Sequence, residues 1–242
     1  MTRLIGLILF FSAFFFSTFT VQAASFNTLG ILSQDQFKQL SENIAASTQY
    51  KGVTPPEPLG LLGFDVGLSL SYTTIEVDEI FDIASEGDFD VSGIALPRLT
   101  LHKGLPFGFD VGVSASGAPG TDIQVLGAEV RYAVLEGNVA LPAVGIRASA
   151  SLLQGVDEMD LQNLGLDISV SKGFLLLTPY AGIGVVRSTA TPNDAPALEE
   201  ESLSQTKMFA GLNVNLGLLN MTFEADKTGD YTSGSAKAGF RF

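Results

Sequence analysis

From Gly60 to Phe242 the side chains alternate, and that period governs everything the chain can become. Phe64, Val66, Leu68, Leu70 and Tyr72 are interleaved with Asp65, Gly67, Ser69, Ser71 and Thr73. Phe107 to Ser116, Leu164 to Ser171 and Leu219 to Asp226 repeat the pattern. A period of two puts apolar groups on one face of an extended strand and polar groups on the other. The polar face is mostly Gly, Ser, Asn and Thr, whereas a solvent-facing sheet normally carries Lys and Glu. An enclosed interior suits this composition better. With 46% hydrophobic and only 16% charged residues, the chain is poorer in charge than the roughly 25% usual for a soluble domain. Past its first twenty residues, however, it has no apolar stretch long enough to cross a bilayer as a helix. Its apolarity is distributed by alternation, as in the apolar-out, polar-in strands of a membrane barrel.

Ten such segments are expected, near 62–76, 92–102, 106–116, 121–134, 138–153, 161–172, 174–189, 206–217, 218–226 and 231–242. Their connections alternate between very short (103–105, 135–137, 173, 217–218) and longer or more turn-rich (77–91, 117–120, 154–160, 190–205, 227–230). That is the asymmetry of outer-membrane barrels, whose short turns are periplasmic. An even strand number returns both termini to that side. The fold class expected is all-β: an antiparallel transmembrane β-barrel of about ten strands with a short N-terminal amphipathic helix.

The N-terminal sixty residues divide in two. Arg3, the run Leu4 to Phe19 and the small residues around Ala23 form a secretory signal over residues 1–23. Residues 24–59 form a helical segment and connector, followed by the barrel over 60–242. Ser33 with Gln36 three residues later makes a capping box, and Phe37, Leu40 and Ile44 recur at helical spacing, predicting a helix from Ser33 to Ser47. Pro55, Pro56 and Pro58 then enforce an extended connector. A helix this short needs a docking surface, so Phe37, Leu40 and Ile44 are candidate plug residues, entering the lumen from the periplasmic side.

The chain closes on Ala236-Lys237-Ala238-Gly239-Phe240-Arg241-Phe242. This segment resembles the C-terminal strand of bacterial outer-membrane β-barrel proteins. The resemblance implies that Phe240 and Phe242 are the signal read by the barrel-insertion machinery. The stretch from Phe37 to Asp65 also resembles the start of an uncharacterised family of proteobacterial outer-membrane proteins, a resemblance that brings no activity with it.

Candidate lumen-lining residues are Asp65, Arg98, Asp110, Glu129, Arg131, Arg147, Asp167, Glu224, Lys237 and Arg241. They can be read as internal ion pairs that fill the barrel and hold its shape, or as the walls of a narrow polar path. The lumen Gly and Ser residues cannot fill a ten-strand interior themselves, which leaves space for solute or for the helix. Acidic clusters mark the longer loops: Glu76, Asp78, Glu79, Asp82, Glu86, Asp88 and Asp90; Asp157, Glu158 and Asp160; Asp194, Glu199, Glu200 and Glu201. Their spacing does not reproduce a calcium-binding loop, and they read first as a solvated surface, with no metal and no cofactor assigned.

With no Cys there are no disulfides and no thiol chemistry. The single His102, beside Lys103 at the expected periplasmic end of the second strand, has no nucleophile motif to serve, so no enzymatic activity is expected. A net charge of −13 argues against a nucleic-acid partner. The expected partners are outer-membrane lipid and lipopolysaccharide, the insertion machinery and a small solute. Two functions follow: a passive channel or transporter of small or hydrophobic solutes occluded by residues 24–59, or a closed barrel with a structural or surface-interaction role through its acidic loops.

Overall fold

The computed structural model describes residues 29–76, 80, 83, 93–117, 123–193 and 195–242. The signal segment 1–23 lies outside them, as do Asp78, Glu79, Asp82, Glu86, Asp88, Asp90 and Asp194. Ten antiparallel strands close into a barrel: β1 (Phe64–Thr74), β2 (Gly93–Gly104), β3 (Phe109–Gly117), β4 (Gln124–Leu135), β5 (Ala143–Gln154), β6 (Met159–Ser171), β7 (Leu177–Pro192), β8 (Glu201–Leu216), β9 (Leu219–Thr228) and β10 (Tyr231–Arg241). Each strand pairs with its neighbours in sequence, and β10 returns to β1 with Asp65 opposite Arg241 and Thr73 opposite Ser233. Closure leaves no unpaired sheet edge.

Strands alternate faces as the sequence predicts. On β6, Leu164, Leu166, Ile168 and Val170 point out and are exposed, while Asn163, Asp167, Ser169 and Ser171 are buried inside. The connections of residues 105–108, 136–142, 172–176 and 217–218 lie at one end, here the turn end. The other end, the loop end, is where β1 finishes and β2 begins, β3 finishes and β4 begins, and where residues 155–158 and 229–230 lie.

Several boundaries depart from expectation for local reasons. Strand β8 begins at Glu201, not near 206, and β7 runs on to Pro192. Around Leu203 the pattern inverts: Leu203 is buried, and Ser202, Ser204 and Thr206 face out. Strand β5 starts late because Asn138 Oδ1 accepts from the amides of Ala140 (2.8 Å) and Leu141 (2.9 Å), folding an Asx-type turn where strand was expected. The β9–β10 connection, expected among the longer ones, is a two-residue turn with Gly229 at φ +58°.

Helix α1 (Gln34–Thr48) carries the predicted capping box: Ser33 accepts from the Gln36 amide while the Gln36 side chain accepts from the Ser33 amide. Phe37, Leu40 and Ile44 are buried in one apolar cluster with Leu29, Leu32, Ile75, Ile80, Val125, Leu153, Met159, Leu161, Ala195 and Leu198. Apart from Leu29 and Leu32, which precede the helix, those partners belong to the loop-end halves of the strands and to the loops themselves. Gln34 bonds the Glu199 carbonyl (3.0 Å) and the Glu201 carboxylate there. The helix therefore does not enter from the end where β1 starts and β10 finishes. It sits at the loop end, and residues 49–59 run the length of the lumen back to the turn end, where β1 begins. Even strand parity places both ends of the barrel together, but the chain ahead of β1 has crossed to the opposite mouth.

Candidate functional site

Residues 49–59 form no helix or strand, so their buried main-chain groups depend on partners from the wall. The wall supplies them. Arg98 donates to the carbonyls of Gln49 (3.2 Å) and Lys51 (3.1 Å), and Lys207 to that of Tyr50 (3.4 Å). Arg147 reaches the Thr54 carbonyl (3.3 Å), Arg131 that of Pro55 (3.0 Å) and Arg241 that of Glu57 (3.3 Å). One step before this run, Ser151 donates to the Thr48 carbonyl (3.0 Å). At its far end Asp110 accepts from the Leu59 amide (3.1 Å). A prolyl residue offers a carbonyl but no N–H, so a wall of guanidinium and ammonium donors matches a proline-rich stopper. Val53, buried with φ +46°, is a β-branched residue in the left-handed region. Its neighbours Lys51 and Thr54 are pinned on either side by Arg98 and Arg147, which fixes a turn the backbone would not choose.

Arg131, Arg147 and Lys207 are themselves paired with wall carboxylates. Glu129 sits between Arg147 Nε (3.0 Å) and Arg131 Nε (3.2 Å), with His102 Nε2 at 3.3 Å. Arg131 also reaches Asp110 (3.0 Å), and Lys237 holds Asp65 (2.7 Å). Asp167 lies 3.8 Å from both Arg147 and Lys207, and Tyr180 donates to Glu224 (2.6 Å). From the stopper, Lys51 Nζ meets Asp226 Oδ1 at 2.7 Å and Ser233 Oγ at 2.7 Å. The Tyr50 hydroxyl is 3.1 Å from His102 Nε2. Charges removed from water are tolerable when opposite charges or hydrogen bonds meet them; the ion pairs serve most of this network, while Arg98 and Glu224 rely on hydrogen bonds.

The structure brings Asp65, Arg98, Asp110, Glu129, Arg131, Arg147, Asp167, Glu224 and Lys237 together inside the barrel, all buried; Arg241 is only partly covered, at the turn end. Sequence reasoning missed Tyr50, Lys51, Lys207 and Asp226, and treated His102 only as a strand-end residue. Lys207 and Asp226 fall on inward positions of their strands, so the period held that information. Lys51 lies in an aperiodic stretch and gave no such signal.

The space expected beside the lumen glycines is taken by residues 49–59. A Cβ on Gly127 would lie 2.7 Å from the Tyr50 ring, and one on Gly145 would lie 2.9 Å from Pro56. One on Gly52 would lie 3.0 Å from Glu129 Oε2. Gly127 and Gly145 on the wall, and Gly52 on the stopper, are where the two approach most closely. The gap bounded by Gln49, Tyr50, Asn163, Asp167 and Lys207 has no room for a water-sized sphere. Among the described residues no group of three or more His, Asp or Glu side chains is placed to hold a metal ion, and no helix is long and apolar enough to cross a membrane.

No protein-family model matches the chain, and no curated protein matches it in sequence. Among solved structures, the N-terminal β-barrel domain of Pseudomonas aeruginosa OprF is similar over 73% of this chain and 97% of its own, at 11% identity and a TM-score of 0.38. The KdgM porin covers 75% and 99% at 9% identity and 0.37. Neisserial surface protein A covers 74% and 94% at 8% identity and 0.33.

Proposed function

We propose that this chain is an outer-membrane barrel that is closed at rest, stoppered along its length by residues 34–59, and that it works from its acidic loop end. The outward face supports the setting. Its exposed Val, Leu, Ile and Phe side chains form the apolar belt a bilayer requires, and ring closure satisfies every strand within it. Phe240 and Phe242, both exposed on the last strand, remain available to the insertion machinery.

The observation that carries the closed reading is the series of wall donors on the main chain of residues 48–57. Removing the stopper strands those carbonyls and leaves Asp226 without Lys51, a cost incompatible with free exchange between open and closed states. His102 is sealed between Tyr50 and Glu129 and carries no reaction in this reading. At the loop end Asp157, Glu158, Asp160, Glu199, Glu200 and Glu201 present carboxylates that divalent ions can bridge to lipopolysaccharide phosphates; a chelator that leaves loop protection from proteases unchanged would remove that contact.

The test is planar-bilayer conductance of the refolded mature chain, of the chain lacking residues 24–58, and of a Thr48→Cys/Ser151→Cys variant oxidised and reduced. Silence from the full chain in both redox states, with conduction after truncation, is expected. Discrete openings of the reduced chain that oxidation abolishes would instead establish a gated channel, and they decide the matter even if the truncated chain does not fold.

A further inference from the structure

The two ends of the barrel differ in a way that the closed lumen does not explain. At the loop end the outward face turns polar before the strands finish, at Thr74, Gln124, Gln154, Gln162, Arg187 and Lys227. At the turn end it stays mainly apolar, its charged groups being Lys103, Glu136 and Lys172. Each turn there carries a large apolar side chain in full exposure: Phe107 at 90%, Val139 at 99%, Leu175 at 105% and Leu218 beside them. Leu62 does the same in the connector before β1. Phe107 and Leu175 hold φ of +64° and +55°, where Gly or Asn is the ordinary choice for a turn in water. In two separate turns a bulky apolar residue occupies that position with no protein group to pack on.

The two lysines at this end direct their ammonium groups onto main-chain carbonyls. Lys172 Nζ bonds the carbonyls of Asn138 (3.0 Å), Val139 (2.7 Å) and Leu141 (3.3 Å). Lys103 Nζ bonds that of Leu61 (2.6 Å) and lies 4.2 Å from the centre of the Phe64 ring. Of the described turn residues only Glu136 is an exposed acid.

Height gives the same answer. On β7 the outward apolar run is Leu177 to Val185, ending at Arg187. Nine residues of a strand tilted about 40° rise roughly 20–25 Å, against an apolar belt about 25 Å tall. With Arg187 at the headgroups, the hydrocarbon reaches down to the turn beside Leu177.

We propose that the turn end does not project into the periplasm but is sunk in the periplasm-facing leaflet, with Phe107, Val139 and Leu175 in contact with lipid. The apolar turns continue the lipid-facing belt, and a bilayer is the occupant that covers all of them at once. This inference rests on the outer-membrane reading above.

Since the chain has no Cys, single cysteines can be placed at Phe107, Val139 or Leu175, at mid-belt Leu166, and at loop-end Glu200. Each is labelled with an environment-sensitive dye and refolded into phosphatidylcholine vesicles. Dyes at the three turns should emit blue-shifted, be quenched by bromine-labelled lipid at least twofold more than at Glu200, and resist aqueous iodide. Iodide-accessible turns with a lipid-quenched Leu166 site overturn this inference alone. Blue-shifted turns that bromolipid does not quench mean a protein surface covers them, a second copy included, and overturn it too. An iodide-accessible Leu166 site overturns the membrane reading itself.

Discussion

Lys51 Nζ and Asp226 Oδ1 stand 2.7 Å apart with both side chains fully buried, tying the stopper to β9 in the middle of the barrel. Removing one partner of such a pair leaves an uncompensated charge, at a cost of about 3–5 kcal/mol. Lys51→Met should lower the detergent-unfolding midpoint accordingly. Lys51→Met with Asp226→Asn should regain much of the loss, because no lone charge remains. A double variant no better than the single would show that the pair is not coupled.

Arg98 satisfies two stopper carbonyls and donates to Ser116 Oγ at 3.1 Å. Arg98→Ala orphans buried acceptors at roughly 1–3 kcal/mol each. The stopper should loosen without loss of the strands, so that vesicles carrying this variant leak small solutes while the parent's do not. Equal tightness would mean that Arg98 is replaceable by its neighbours.

Gly127 leaves the gap that the Tyr50 ring fills. Gly127→Leu overpacks this contact, and about 1–3 kcal/mol of destabilisation is expected. Proteases should then cut within residues 48–58, a stretch they should not reach in the parent. Unchanged protection would mean that the ring has another place to go.

Burial pushes the Glu42 carboxyl above its ordinary range; Lys38 opposes the shift, and Asp230 and Glu201 add to it. The docked helix thus binds a proton more tightly than the undocked one. By linkage, docking strengthens as pH falls through the raised value, is at its fullest below the ordinary carboxylate range, and weakens as pH rises. Amide exchange across α1 should be slower at pH 5 than at pH 7.5, after correction for intrinsic rates, and Glu42→Gln should flatten the difference. An undiminished difference in the variant would assign the dependence to another group.

The legible parts of this molecule are those governed by a local period. Strand β1 can be read from Phe64 to Thr74 because every second residue faces out of the barrel, and α1 because Ser33 and Gln36 announce its start. At Leu203 the same reasoning stumbles, since there the inner face packs on a helix and the outer face has left the belt. Lys51, Tyr50 and the direction of the stopper were not legible at all. Their positions depend on contacts such as Lys51 with Asp226, 175 residues apart in sequence, and no window along the chain contains both. Glycine was misleading for a related reason: Gly127 and Gly145 read as emptiness until the groups that occupy them are known.

The stopper joins β1 through residues 60–63 at the turn end, while its helix rests at the loop end. Full escape through the loop-end mouth is therefore barred by the chain's own connectivity, since the segment would have to drag the first strand out of the ring behind it. The remaining exit is retreat through the turn-end mouth, residues 59 to 49 leaving first and the helix following down the full bore. In the outer-membrane setting proposed above that mouth faces the periplasm, so a force that unblocks the barrel would act from the periplasmic side.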